Sequence, residues 1–331
     1  MMGRGASSPE GSARLDRTRL DPARYRALIE ARVRRPRQLH EALLRRRRRE
    51  LVSPDGRLLV IAADHTARGK LAVGGDPLIA ADRYTLLDRL VRGLATPGVD
   101  GVLASADILE DLAWLGALDS RLAIGTMNRG GIVGARWELD DRVTAYDAER
   151  IAQYGLDGGK VLVRLDETDP AVARTLESAA AAVTALAENS RLAVVEVLPY
   201  RRDEAGHAVL DPSHERMLQS VAVASGLGAC SVHTWLKIPA SRRMREVAGA
   251  TSLPILMLGG DPGARAAEVF DDWALGLREP NVRGLIPGRT LLYPHDGDVD
   301  GAMRRAAALV HPDLVDPDPV HPDDTTPGVT R

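Results

Sequence analysis

Short apolar runs recur along the chain, separated by stretches with helical patterning. Leu58–Ala63 (LLVIAA), Gly101–Ala104 (GVLA), Leu122–Thr126 (LAIGT) and Lys160–Leu165 (KVLVRL) are the first four. Leu192–Val197 (LAVVEV), Ser231–Ile238 (SVHTWLKI), Pro254–Leu258 (PILML) and Gly284–Pro287 (GLIP) complete the set. Each has the length and near-continuous apolar character of a strand buried on both faces. Between them, Pro77–Leu94, Ile108–Leu118, Pro170–Glu188, Pro212–Ser225 and Ala264–Leu277 are amphipathic with helical spacing. Strand and helix in alternation predict a parallel sheet covered by helices. Eight units spread over roughly 250 residues predict an α/β chain built as a single (β/α)8 TIM barrel. An open doubly wound sheet is the alternative. The first strand is followed by no GxGxxG turn, which weakens its dinucleotide-binding version.

The barrel is placed at 55–310. Residues 21–54 read as a helical extension that ends in the run Arg45–Arg49, a solvated helix end whose cations suit a helix C-terminus. Residues 1–20, rich in Gly, Ser and Arg, predict a disordered N-terminus. Residues 311–331, with their Asp-Pro, His-Pro and Thr-Thr-Pro pairs, predict a disordered tail.

Composition narrows the class. A net charge of −2 argues against a general nucleic-acid binder, and no apolar run approaches the roughly 18 residues of a membrane span. The N-terminus lacks the apolar core of a signal peptide. The single Cys230 excludes an intrachain disulfide framework and suits a reducing cytoplasm. A cytoplasmic protein with a small-molecule partner, and neither nucleic acid nor membrane, is expected.

Lysine usage changes the picture most. Of 44 lysines and arginines, only Lys70, Lys160 and Lys237 are lysine. Guanidinium stays charged at any working pH, so it cannot replace an amine that must lose a proton and attack a carbonyl. Barrel active sites lie at the C-terminal strand ends, which singles out Asp64 through Lys70 after the first strand. The fourth strand carries Lys160 and Arg164, with Asp166 at its end, and the fifth carries Glu196 in an apolar run. His233, Trp235 and Lys237 share one face of the sixth strand by period-two alternation. Lys160 and Lys237, on strands of the same parity, share a side-chain layer, with Glu196 between them to shuttle protons. Gly259-Gly260 and Gly288-Arg289, after the last two strands, are suited to a phosphate. The long third loop, Met127–Arg142, either lines the substrate or is a surface excursion.

These motifs resemble, in order, the barrel-type class I (Schiff-base) aldolases, in particular the tagatose-bisphosphate and archaeal-type fructose-bisphosphate aldolase group. Ala63 to Lys70 is similar to the family's first-strand D-Q-R-G-x-x-K passage, with His65 where Gln is common. Gly159 to Arg164, Val195-Glu196-Val197, Trp235 to Pro239 and Gly284 to Arg289 are similar to its later motifs. The resemblance implies an imine on Lys237, with Lys160, Glu196 and Asp64 positioning and protonating the substrate. It implies phosphate held by Gly259, Gly260, Gly288 and Arg289, with Arg68 and Arg164 also binding substrate. It also implies a homo-oligomer, no cofactor and no metal, and a branch associated with inositol catabolism. Two other functions are weighed. One is a metal-dependent aldolase or isomerase using Asp64, His65, His233 and Asp107 or Glu196. The other is a sugar-phosphate-binding barrel without turnover.

Overall fold

A computed structural model describes residues 19–260 and 268–313. Among them, eight parallel strands close into a barrel: β1 (Leu58–Ala62), β2 (Gly101–Ala104), β3 (Leu122–Thr126), β4 (Gly158–Leu165), β5 (Leu192–Arg202), β7 (Thr234–Pro239), β8 (Ile255–Leu258) and β9 (Val282–Leu285). A short strand β6 (Ala208–Leu210) pairs antiparallel with the outer end of β5. The order β4-β3-β2-β1-β9-β8-β7-β5 is closed by pairing of β4 with β5, so the predicted TIM barrel is the fold observed.

Alternation along the strands makes two cores. Leu58, Val60, Ala62, Leu122, Ile124, Leu192, Val194 and Leu256 point inward and fill the lower barrel. Their neighbours Leu59, Ile61, Ala123, Val161, Val163, Val195 and Met257 point outward beneath the helices. Both faces are buried, so the strands read as continuous apolar text. Several of the helices between strands begin at a side chain that accepts an orphan N–H. Asp82 caps Arg83–Ala95, Asp147 caps Ala148–Gln153 and Ser213 caps His214–Ser225. These caps place two starts later than apolar periodicity suggested, at Arg83 instead of Pro77 and at His214 instead of Pro212. The helix expected over Ile108–Leu118 runs from Ala106 to Trp114. The predicted strand at Ser231 begins only at Thr234, leaving His233 in the preceding turn.

The extension forms two helices, Pro22–Arg34 and Arg37–Arg45. The arginine run is more than a solvated helix end. Arg46 is buried at 7% exposure, its Nη2 2.7 Å from Asp157 Oδ2 and its guanidinium donating to the carbonyls of Arg121 and Gly155. Arg48 reaches the other oxygen of Asp157 at 3.2 Å, and Arg49 pairs with Asp100. Asp157 and Asp100 precede β4 and β2, so the run locks the extension across the N-terminal end of the barrel. Asp157→Asn strands the Arg46 charge in the interior and is expected to cost about 3–5 kcal/mol, read from urea denaturation midpoints. The double variant Arg46→Met/Asp157→Asn is expected to recover part of that loss. A loss below about 1 kcal/mol in the single variant shows that the pair is not holding this end.

His311, expected in a loose tail, is buried at 1% exposure. Its Nδ1 lies 2.5 Å from Asp55 Oδ2 and its Nε2 2.9 Å from Asp100 Oδ2. Two carboxylate partners require both ring nitrogens to donate, which only the imidazolium can do. Burial pulls its pKa down, but the two carboxylates outweigh burial and raise it. A raised histidine contributes stability that is complete below its unfolded value and disappears as pH climbs through the folded one. Native protein is therefore expected to lose melting temperature relative to His311→Gln as pH rises above about 6.5. Parallel curves for the two proteins show that this contact carries no such linkage. Residues 1–18 and 314–331 lie outside the described residues, as do Asp261 and Pro262 of the seventh loop; Leu20, inside the described part, is buried.

Candidate active site

Above the apolar layers the barrel interior changes character. Lys160 on β4, Glu196 on β5 and Lys237 on β7 all point inward and are at most 8% exposed. Strand register brings them together, because Glu196 pairs with both Lys237 and Leu162, two residues beyond Lys160. Glu196 Oε2 lies 2.5 Å from Lys160 Nζ, and Oε1 lies 3.2 Å from Lys237 Nζ. Asp64, just past β1, places Oδ2 3.0 Å from the same Lys160 amine. Two buried ammonium positions and two buried carboxylates thus interleave across the barrel.

The electrostatics follow from this packing. Burial would raise Glu196, but Lys160 and Lys237 overcome it and hold the carboxyl down at about 2. The same competition, with Arg129 added, holds Asp64 well below the usual carboxylate range. Burial pushes Lys160 down and is only partly offset by Asp64 and Glu196. His65 is lowered to about 3, by burial first and then by the Lys237 and Arg289 cations, against the pull of Asp64. At neutral pH it is an uncharged imidazole in the wall, able to accept as well as donate.

A cavity of about 440 Å³ opens at this point, large enough for a sugar phosphate. Gly259, Gly260, Gly288 and Arg289 line one side of it, and Arg68 and Arg164 the other; Lys70 stands exposed at the rim. Gly288 has to be glycine: a Cβ there would lie 2.4 Å from both the Ala62 carbonyl oxygen and the His65 ring. The expected Arg68 and Arg164 are present in the wall, but carboxylates already occupy their guanidinia. Arg164 Nη1 lies 2.5 Å from Glu138 Oε1 and its Nη2 3.1 Å from Asp141 Oδ2. Arg68 pairs with Asp141 and donates to the carbonyls of Asn128 and Gly131.

The third loop is therefore neither a plain excursion nor loosely attached. Its Asn128 side chain pairs with both backbone groups of Leu162, at 2.8 and 2.6 Å, like an added strand residue. Arg129, which sequence reasoning did not single out, lies 3.0 Å from Asp64 Oδ2 and reaches its carbonyl as well. Tyr200 and Leu210, from the β5–β6 hairpin, also line the cavity unforeseen. Within Met127–Arg142, nothing local marks Arg129 as the partner of a residue 65 positions away.

The proposed metal donors are not assembled. His233 precedes β7 at the N-terminal end of the barrel, opposite the site. Asp107 is exposed and pairs with Arg83. Among the described residues no group of three His, Cys, Asp or Glu side chains has metal-holding geometry. Nor is any described helix long and apolar enough to cross a membrane.

Relatives share this architecture. The crystal structure of Cgl0159 from Corynebacterium glutamicum is 44% identical over 89% of this chain and 99% of that one, with a TM-score of 0.86. A Schiff-base-forming fructose-1,6-bisphosphate aldolase is 20% identical over 82% of this chain and 100% of that one, with a TM-score of 0.58. An archaeal fructose-1,6-bisphosphate aldolase, captured with its catalytic lysine bound to the carbinolamine intermediate, is 20% identical over 82% and 99%, with a TM-score of 0.57. At that identity the likeness is one of fold. No curated protein matches the chain. The model of the Cgl0159-like family matches residues 56–307, and with the 44% relative this makes the chain a member of the Cgl0159-like family.

Proposed function

We propose that the protein is a class I aldolase that cleaves a phosphorylated keto sugar or sugar acid through an imine on Lys237. The observation that carries this reading is the single carboxylate of Glu196 bridging two buried amines, 2.5 and 3.2 Å away, at the floor of an open cavity. A barrel that only needed an ion pair would gain little from burying two lysines in a chain that otherwise uses arginine. Lys160 is held between two carboxylates, whereas Lys237 has the longer contact and stands on β7, beside the glycine loops of β8 and β9. Lys237 is therefore the nucleophile in this reading.

The Lys237 amine, its proton passed to Glu196, adds to the substrate ketone to form a carbinolamine. Loss of water, with its oxygen protonated from Glu196 or Lys160, leaves the iminium. A base takes the proton of the hydroxyl β to that carbon. The C–C bond breaks, its electron pair moves into the iminium, and an aldehyde departs. The remaining enamine takes a proton at carbon, and water then releases the ketone and restores the amine. Asp64 keeps Lys160 oriented, and Gly259, Gly260, Gly288 and Arg289 hold the phosphate. The enzyme acts in the cytoplasm as a homo-oligomer, in carbohydrate breakdown, with inositol-derived phosphorylated keto acids as the candidate substrates. The link to inositol and to the tagatose-bisphosphate branch is by analogy with similar sequences.

Borohydride reduction in the presence of phosphorylated ketoses tests this. A covalent adduct mapped to the peptide bearing Lys237 is the expected result. An adduct on Lys160 exchanges the two roles, and tight sugar-phosphate binding with neither adduct nor turnover leaves a binding protein in place of an enzyme.

A further inference from the structure

We infer that the substrate carries a single phosphoryl group, because the Glu138–Arg164 pair excludes a second from the side of the barrel opposite the glycine loops. This rests on the imine reading above and adds the substrate class. The strands form a ring, and the two groups of wall residues assigned to substrate lie on opposite sides of it. On one side, Gly259, Gly260, Gly288 and Arg289 follow β8 and β9, next to β7 and Lys237. In the reading above, this is the side that holds the phosphate. The other side is formed by β4 and the third loop, where Arg68 and Arg164 line the cavity. The distal phosphate of a ketose bisphosphate would have to reach it.

That side offers a phosphate no net charge. Asp141, 1% exposed, and Glu138, 5% exposed, match the two guanidinia one for one. The second Glu138 oxygen accepts the Gly134 N–H at 2.7 Å, and the free Asp141 oxygen accepts the Gly131 N–H at 2.9 Å. Both carboxylates are thus held at each oxygen and are not placed to swing away. Glu138 is itself part of the cavity wall. A phosphate dianion would either displace a carboxylate from its arginine or lie against it, and both put like charges together out of water. The wall has no slack to yield. A Cβ at Gly131 would stand 2.0 Å from Arg164 Nη2 and 2.3 Å from the Glu138 carbonyl oxygen, so loop and guanidinium are already in close contact. The Arg164 guanidinium also lies 5.8 Å over the Tyr200 ring, which backs it from the β5 side.

The test is calorimetric titration of the full chain with fructose 1-phosphate and with fructose 1,6-bisphosphate, beside borohydride trapping with each. The monophosphate is expected to bind at least about tenfold more tightly. Glu138→Gln, which releases Arg164 to meet an anion, is expected to narrow or reverse that ratio. Equal or tighter binding of the bisphosphate by native protein overturns the inference, and so does binding of neither. An unchanged ratio in a Glu138→Gln protein with native melting temperature removes the pair from this role. A monophosphate that binds but leaves no borohydride adduct counts against the Lys237 imine alone, so the two readings fail separately.

Discussion

Lys237→Met is expected to lower turnover by roughly a thousandfold or more while leaving the protein folded. Methionine follows the shape of the lysine stem, and the site into which it projects is 2% exposed. Removing this amine takes away one of the two cations on Glu196, which keeps Lys160 at 2.5 Å. No buried carboxylate is left without a partner. Lys160→Met behaves differently, because it leaves Asp64 and Glu196 facing each other without the ammonium between them. That variant is expected to lose thermal stability as well as activity. Steady-state rates and melting temperatures for the two proteins, measured side by side, separate a nucleophile from a structural ammonium. If Lys237→Met retains more than about a tenth of native activity, Lys237 is not the nucleophile.

Glu196→Gln is expected to slow turnover by about 10²–10⁴-fold, the range that a positioned acid–base group contributes. Glutamine keeps the shape, but its amide nitrogen donates where a carboxylate oxygen accepted from lysine, so one of the two contacts is lost, and it cannot take the proton of Lys237. The same variant gives a stability signature with a defined sign. Burial would raise the Glu196 pKa, and the two lysines reverse this and depress it to about 2. A depressed carboxylate stabilises the fold fully above its unfolded value, and that contribution is lost as pH falls through the folded one. Native protein should therefore exceed Glu196→Gln in stability at neutral pH, with the gap closing between about pH 4.5 and 2. Urea midpoints across that interval give the measurement. A gap that stays constant with pH leaves charge out of the contribution of Glu196.

Much of the architecture is readable in one dimension because a parallel strand inside a barrel is buried on both faces. Nothing but apolar residues is tolerated there without a reason, so LLVIAA and LAVVEV announce strands, and the Glu in LAVVEV announces itself as an exception. The lysines stand out in the same way, against a background of arginine. Alternation is less informative about where a strand starts. Ser231 to Ile238 alternates smoothly, yet pairing with β5 begins at Thr234, so His233 belongs to the far end of the barrel. Helix starts moved for a comparable reason: Asp82 and Ser213 choose the first turn, while apolar spacing is blind to caps. β6 was not legible because its three residues pair with the outer end of β5 and carry no pattern of their own.

The partners of the buried charges were the least legible part of the chain. Arg68 meets Asp141 across 73 positions, Arg129 meets Asp64 across 65 and Arg46 meets Asp157 across 111. No periodicity links such pairs, because closure of the ring brings them together. By itself the sequence determined the barrel and marked its few lysines against a background of arginine. Local burial rules and amine chemistry are enough for that. Only the tertiary structure decided that Glu196 touches both amines, that Arg68 and Arg164 are matched by carboxylates, and that His311 locks the base. Coulomb interactions depend on distance in space, and chain separation says almost nothing about that distance.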